Sequence, residues 1–181
     1  SSVSQFEYDL IVIGSGPAGQ RAAIQAAKLH KKVALVDLNP RIGGVCLHDG
    51  TIPSKSFREA IMHLSGFRLR SHFGESFRVK HDVVMEDLTR WSVSIVANIE
   101  QTLRAHLSRN KVEMMCGLAS IEEPHKVRVV SGNKQQSIAT EFIIIATGTA
   151  ARRPSGFEFD EEVIVDSNGI LRLKNLPRTL G

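Results

Sequence analysis

The chain has 181 residues, of which 42% are hydrophobic and 23% are charged, so it can build a globular core. The net charge of +4 is modest and no long Lys/Arg run is present, which disfavours a nucleic-acid partner. Two cysteines are too few for a disulfide-stapled fold. The first residues lack a signal-peptide pattern, and no apolar run approaches the roughly 20 residues that cross a bilayer. We therefore expect a soluble, cytoplasmic protein without a membrane partner.

The first third of the chain predicts a βαβ unit. Leu10 to Ile13 is a short apolar run typical of a buried strand, and from Ala18 to Leu29 small and apolar residues recur at helical spacing. A second apolar run, Val33 to Val36, ends in the acid Asp37. A strand, a glycine turn, a helix and a second strand within about 30 residues are typical of a dinucleotide-binding fold.

Helices dominate the middle of the chain. A loop from Asn39 to Gly50 precedes a helix that Pro53 opens, and the stretch from Phe67 to Arg78 is predicted to be irregular. A long helix should cover Asp82 to Arg109. Its apolar residues are spaced by three or four and predict a core-facing stripe: Leu88, Trp91, Ile95, Ile99 and Leu103.

The last third predicts strands and a connector. The strands are expected at Val112 to Ile121, Lys126 to Val130 and Ser137 to Ile145. The turn Ala146-Thr147-Gly148 ends the last of them, and Ala150 to Gly181 has the composition of a connector. The fold class is therefore α/β, a Rossmann-like parallel sheet with helices and a small additional β-meander.

The turn after the first strand carries a G-x-G-x-x-G motif, Gly14-Ser15-Gly16-Pro17-Ala18-Gly19. The first glycine allows the tight turn, the second lets the backbone approach a pyrophosphate, and the third lets the helix lie close to the strand. The helix N-terminus offers free N–H groups and a partial positive charge to that pyrophosphate. Asp37, at the end of the next strand, is placed to bind a ribose hydroxyl. These features predict a dinucleotide site, without distinguishing FAD from NAD.

A second motif follows directly, running from Gly43-Gly44-Val45-Cys46 to Gly50-Thr51-Ile52-Pro53-Ser54-Lys55. It resembles the redox-active loop of the two-dinucleotide-binding flavoproteins, which include lipoamide dehydrogenase, glutathione reductase and mercuric reductase. In that family the loop reads G-G-T-C-x-x-x-G-C-I-P-S-K, and its two cysteines pass electrons between flavin and substrate. The resemblance extends from about Tyr8 to Asp166 and implies FAD as the cofactor.

The resemblance also implies which residues contact FAD. Ile145-Ala146-Thr147-Gly148-Thr149 resembles the family's second FAD contact, and Gly117-Leu118-Ala119 resembles its adenine-side segment. The implied cofactor-binding residues are Gly14, Ser15, Gly16, Pro17, Ala18, Asp37, Leu38, Arg41, Gly43, Gly44, Val45, Cys46, Thr51, Lys55, Gly117, Ala119, Ala146, Thr147 and Gly148.

The loop departs from the family pattern at the second redox position, where Thr51 replaces cysteine. A dithiol relay needs two sulfurs, and Cys116 lies on a different segment from Cys46. Direct hydride transfer between nicotinamides through the flavin remains, and the soluble pyridine nucleotide transhydrogenases, which resemble this chain, also carry threonine there. The resemblance thus implies an FAD-dependent transhydrogenase acting on NADPH and NAD. A dihydrolipoamide dehydrogenase-like or diaphorase enzyme and a non-catalytic dinucleotide-binding module remain as alternatives.

Individual residues of the loop receive different interpretations. Lys55 matches the family's lysine near flavin N5, where a positive charge favours the anionic reduced flavin; otherwise it is a solvated lysine paired with Glu59. Cys46 is interpreted as a small buried residue against the flavin rather than a redox group.

No metal site is expected. The family's NAD(P)-binding motif and dimerisation region are absent from these residues, so we expect an N-terminal portion of a longer, oligomeric protein that is inactive by itself.

Overall fold

The computed structural model describes residues 5–66, 72, 74 and 82–181. Most of the stretch predicted to be irregular, 67–78, lies outside these residues. The chain divides into two compact units, one of residues 1–46 and 99–149 and the other of residues 47–98 and 150–181. Among the helices of the described part, none combines the length and apolar character needed to cross a membrane.

The first unit contains a six-stranded sheet with the order β3-β2-β1-β6-β5-β4. The strands are β1 (Tyr8–Ile13), β2 (Val33–Asp37), β3 (Glu113–Cys116), β4 (Leu118–Glu123), β5 (Lys126–Ser131) and β6 (Lys134–Ile145). Strands β3, β2, β1 and the second half of β6 are parallel, whereas β4, β5 and the first half of β6 form an antiparallel meander. The predicted Rossmann-like sheet with an additional meander is confirmed.

Helix α1 (Pro17–Lys28) lies on one face of this sheet. On that face Leu10 and Val12 of β1 form a core cluster with Ala23 of α1 and with Leu107. The opposite face buries Ile11 against Val127, Val129 and Ile138. Because successive residues of a strand point to opposite faces, β1 is buried on both sides and reads as a continuous apolar run.

The N-terminal end of β1 carries a polar contact away from the glycine turn. The Tyr8 hydroxyl donates a 2.5 Å hydrogen bond to Glu113, and the Lys32 ammonium lies 4.8 Å from the centre of the Tyr8 ring. Burial, followed by the hydrogen bond to Glu113, raises the pKa of Tyr8 well above its usual value.

Two further helices follow β2. Helix α2 (Gly44–His48) is a single short turn, and α3 (Thr51–Leu64) begins with Gly50 as its N-cap residue. The long helix α4 spans Met85–Arg109, and the 3₁₀ helix η1 spans Gly169–Arg172. Within the second unit, Ala60 of α3 and Met85 and Leu88 of α4 form a small core, with Leu173 packed against it.

Four element predictions need correction. The expected loop at 39–50 contains α2, because Gly44 takes a positive φ of 64° and turns the chain into a helix. Helix α3 begins at Thr51, two residues before Pro53. The single strand predicted at 112–121 is interrupted at the buried Gly117. The stripe on α4 is only partly core, because Leu88 is buried whereas Trp91 is 51% exposed.

Candidate functional site

The glycine turn is locked against the end of β6. Gly14 has a φ of +108°, and a Cβ atom there would lie 2.2 Å from the carbonyl oxygen of Ala146. Its N–H donates to the Val36 carbonyl at 2.7 Å, and the Ala146 N–H donates to the Ile13 carbonyl at 2.7 Å. Only glycine satisfies both the backbone angle and the close approach. The two turns predicted to contact FAD, after β1 and after β6, therefore meet at this point.

The other two glycines of the motif differ in what surrounds them. A Cβ at Gly19 would lie 1.9 Å from the Gly14 carbonyl oxygen, so this glycine lets α1 approach the turn. A Cβ at Gly16 would meet no protein atom within 4 Å. Gly16 is the N-cap of α1, Pro17 is the first helical residue, and Pro17 and Ala18 are exposed. The helix N-terminus thus presents its N–H groups beside open space, the arrangement that a phosphate group needs.

Asp37 is held by the backbone on both sides of the site. Its Oδ2 accepts the Ser15 N–H at 2.7 Å, and its Oδ1 accepts the Asn39 N–H at 2.8 Å. A carboxylate offers about four lone-pair positions, so these two bonds leave acceptor capacity for hydroxyl groups. The carboxylate is thereby fixed next to the glycine turn, and its role in binding a ribose stays a prediction.

A cavity of about 190 Å³ opens beside Asp37. Its other walls come from the glycine turn, strand β2 and the segment after it, strand β3 and helix α4: Ser15, Leu35, Asn39, Pro40, Ile42, Arg104, Met114, Met115 and Cys116. Gly117 closes the end of β3, since its N–H donates to the Asp37 carbonyl at 2.8 Å and a Cβ there would lie 2.6 Å from the Val130 carbonyl oxygen. Ala119 is half-buried on the meander. The predicted adenine-side segment, which starts at Gly117, therefore follows directly after Cys116, a residue of the cavity wall.

The segment after β2 returns to the glycine turn. The Gly43 N–H donates to the Ser15 carbonyl at 3.2 Å and to the Ser15 Oγ at 3.1 Å. A Cβ at Gly44 would lie 2.9 Å from the Cα of Gly16. Leu38 and Val45 are large apolar side chains that remain exposed, at 68% and 42%. They offer apolar contact to a planar ring system.

The other residues of the first unit that were predicted to contact FAD differ in exposure. Arg41 is exposed, and its N–H donates to Asn39 Oδ1 at 2.9 Å. Cys46 is half-buried in α2, and both cysteines are free. The Cys116 sulfur lies 3.7 Å from the Leu38 carbonyl oxygen. Thr147 and Gly148 are exposed, and a Cβ at Gly148 would meet no atom within 4 Å.

Thr51 and Lys55 belong to the second unit. Both are exposed and are four residues apart in α3, so they lie on one face of that helix. Glu59, which the sequence suggested as a partner for Lys55, forms an ion pair with Arg58 at 3.0 Å. Asp49, two residues before Thr51, forms a 2.6 Å ion pair with Arg172 of η1. The pair connects the turn before α3 to the C-terminal segment.

Three residues of the site escaped the sequence interpretation. Gln20 is buried and donates through Nε2 to the Ser15 carbonyl at 2.5 Å, Asn39 binds the Asp37 carboxylate, and Arg104 lines the cavity from α4. The Asp-x-Asn spacing after a strand indicates a side-chain-capped turn and could have identified Asn39. Nothing in the local sequence singles out Gln20, whose acceptor is a backbone carbonyl, or Arg104, whose acceptor at Pro40 lies on another segment.

The family model described as pyridine nucleotide-disulphide oxidoreductase matches residues 8–180. A soluble pyridine nucleotide transhydrogenase of Mycobacterium bovis (strain BCG / Pasteur 1173P2) is 44% identical over 176 residues, covering 96% of this chain and 38% of that protein. A protein of the same name from Colwellia psychrerythraea is 33% identical over 174 residues, covering 96% of this chain and 37% of that protein. The chain thus spans less than two fifths of the length of these relatives.

Solved structures agree on the fold. The HOCl-induced flavoprotein disulfide reductase RclA from Escherichia coli, in a Cu(II) complex of a Cys-to-Ser mutant, aligns with a TM-score of 0.76 and 25% identity. The alignment covers 96% of this chain and 36% of that one. A second structure of the same reductase aligns with a TM-score of 0.71, also at 25% identity, over 94% of this chain and 35% of that one.

Proposed function

This chain belongs to the pyridine nucleotide-disulphide oxidoreductase family, and on that basis we propose that it is the FAD-binding part of an enzyme that transfers hydride between NADPH and NAD without a redox-active disulfide. The observation that carries the proposal is Thr51, which stands where the resembled flavoproteins place their second redox cysteine. The transhydrogenase names of the relatives support the same activity.

The first unit is proposed to bind the ADP half of FAD. The open space at Gly16 accepts the pyrophosphate, the N-terminus of α1 donates N–H groups to it, and Asp37 accepts hydrogen bonds from the ribose hydroxyls. The adenine occupies the cavity beside Cys116. The fit is supported by the contrast among the glycines, because protein backbone fills the space at Gly14 and Gly19 and leaves it open at Gly16.

The motif from Gly43 to Lys55 is proposed to face the flavin ring. The flavin supplies the chemistry, since it can take hydride from one nicotinamide and give it to another. The protein supplies orientation and charge: Lys55 stabilises negative charge on the reduced ring, and Thr51 presents a small hydroxyl. Cys46 packs as a small apolar residue, since Cys116, the other cysteine of the chain, lines the adenine cavity instead.

The remaining functions are assigned to the rest of the polypeptide. We place the NAD(P)-binding and dimerisation regions outside residues 1–181, and a homodimer or higher oligomer is the expected assembly. The relatives' description as soluble enzymes supports a cytoplasmic location. Among the described residues, no group of three or more His, Cys, Asp or Glu side chains is arranged to hold a metal ion.

The experiment is a pair of activity assays on the full-length flavin-loaded protein. NADPH-driven reduction of a thio-NAD analogue should be rapid, and oxidation of dihydrolipoamide by NAD should be absent. Thr51→Ser, which keeps the hydroxyl, should retain transhydrogenation within about twofold. Dithiol turnover by the unmodified protein, with no transhydrogenation, would reject the proposal.

A further inference from the structure

Arg104 reaches the wall of the cavity beside Asp37 from helix α4. The helix is anchored on either side of this residue, because Leu107 is fully buried in the main core cluster and Leu103 packs against the same cluster. The backbone at Arg104 is therefore fixed relative to the sheet. Its side chain is 42% exposed and forms part of the cavity wall.

The guanidinium is oriented by two partners. One Nη donates to the Pro40 carbonyl, and the same nitrogen lies 2.7 Å from Glu100 Oε1. The Arg104 Nε also donates to Glu100 Oε1 at 3.2 Å. Glu100 is one helical turn earlier and only 18% of its side chain is exposed. The guanidinium is charged, so its bond to the Pro40 carbonyl is charge-assisted, and the half-buried Glu100 carboxylate orients it toward that carbonyl.

Pro40 lies within the segment that carries the polar wall of the cavity. On one side Asn39 donates its N–H to Asp37 at 2.8 Å, and its Oδ1 accepts the Arg41 N–H at 2.9 Å. On the other side Ile42 is 5% exposed in the core. Between these two attachments, Arg104 of helix α4 holds the segment through its bond to the Pro40 carbonyl. Loss of this contact would free the segment to move and would loosen the Asn39 bond that orients Asp37.

We propose that Arg104 is a positioning residue for the adenosine half of FAD. It clamps the segment Asn39–Ile42 through the Pro40 carbonyl, and so fixes the carboxylate that receives the ribose. The inference rests on the proposed FAD site and extends it to a residue 13 positions before Gly117, which is the nearest predicted cofactor contact in the sequence.

The test measures FAD binding to the full-length protein after its flavin has been removed. Arg104→Met keeps the aliphatic stem and removes every donor, whereas Arg104→Lys keeps the charge but cannot bridge Pro40 and Glu100 in the same way. Arg109→Met is the matched control, since Arg109 is on the same helix and its Nε bonds only the Ala105 carbonyl of its own helix among the contacts described. The dissociation constants of FAD and of ADP, used as a competitor, are measured for each protein together with the apo melting temperature.

Arg104→Met should weaken FAD and ADP by the same factor, about tenfold, which corresponds to about 1.4 kcal/mol. The dissociation constants of Arg104→Lys should lie between those of Arg104→Met and those of the unmodified protein. The dissociation constants of Arg109→Met should stay within twofold of those of the unmodified protein. The inference is overturned if Arg104→Met lowers the melting temperature while FAD affinity is unchanged, or if FAD weakens and ADP does not. An unmodified apoprotein that takes up no FAD would instead reject the proposed cofactor site, and the inference with it.

Discussion

The different surroundings of Gly14 and Gly16 predict opposite consequences of the same substitution. In Gly14→Ala the new methyl group would lie 2.2 Å from the Ala146 carbonyl oxygen, at a φ of +108°. Strained backbone costs about 1–3 kcal/mol, and overpacking costs about 1–3 kcal/mol. We expect Gly14→Ala to lower the free energy of unfolding by about 4 kcal/mol, the middle of the summed range.

In Gly16→Ala the methyl group meets no protein atom within 4 Å, and the backbone already has a φ of −64° and a ψ of 177° that alanine adopts freely. The cost to stability should stay below about 1 kcal/mol, the scale of an altered N-cap. The methyl group nevertheless occupies the space assigned to the pyrophosphate, so FAD affinity should fall at least about tenfold, equivalent to 1.4 kcal/mol.

Thermal unfolding of the full-length apoprotein and flavin-fluorescence titration separate the two effects. Gly14→Ala should melt several degrees lower, and Gly16→Ala should melt near the unmodified protein but bind FAD poorly. The reasoning would be refuted if Gly16→Ala bound FAD normally, or if the two variants lost stability to the same extent.

Two other side-chain contacts give further predictions. Tyr8→Phe removes the 2.5 Å bond to Glu113 and should lower the free energy of unfolding by about 1–2 kcal/mol. Since burial and Glu113 raise the pKa of Tyr8, its contribution is complete below the unfolded pKa of about 10 and is lost as the pH rises above that value. A stability difference between the two proteins that does not shrink in alkaline denaturation series would contradict this. Asp49→Asn breaks the pair with Arg172, whose side chain is 70% exposed. We therefore expect the free energy of unfolding to fall by less than about 1 kcal/mol, and the difference to disappear in 1 M salt. A larger, salt-independent loss in melting experiments would show that the pair has another role.

Local sequence patterns predicted the centre of the sheet well because β1 and β2 are buried on both faces. Leu10–Ile13 and Val33–Val36 are continuous apolar runs, and each forms most of a strand. The prediction that Trp91 faces the core was wrong, because helical periodicity identifies an apolar stripe without showing which part of a long helix is covered. Helix α2 was missed because a five-residue helix that begins at the second of two glycines gives no periodic signal.

The site was predictable where one segment carries the chemistry. Gly14, Gly16 and Asp37 follow from a motif whose parts are close in sequence. The contact between Gly14 and Ala146 joins segments more than a hundred residues apart and becomes visible only in the folded chain. The same holds for Arg104, whose acceptor at Pro40 is 64 residues away.

An anaerobic NADPH titration of the full-length flavin-loaded protein tests the absence of a second sulfur most directly. With Thr51 in place of cysteine, about one equivalent of NADPH should fully reduce the flavin, with no long-wavelength band from a thiolate beside the oxidised ring. Consumption of about two equivalents, with such a band after the first, would demonstrate a redox-active sulfur pair and contradict direct hydride transfer.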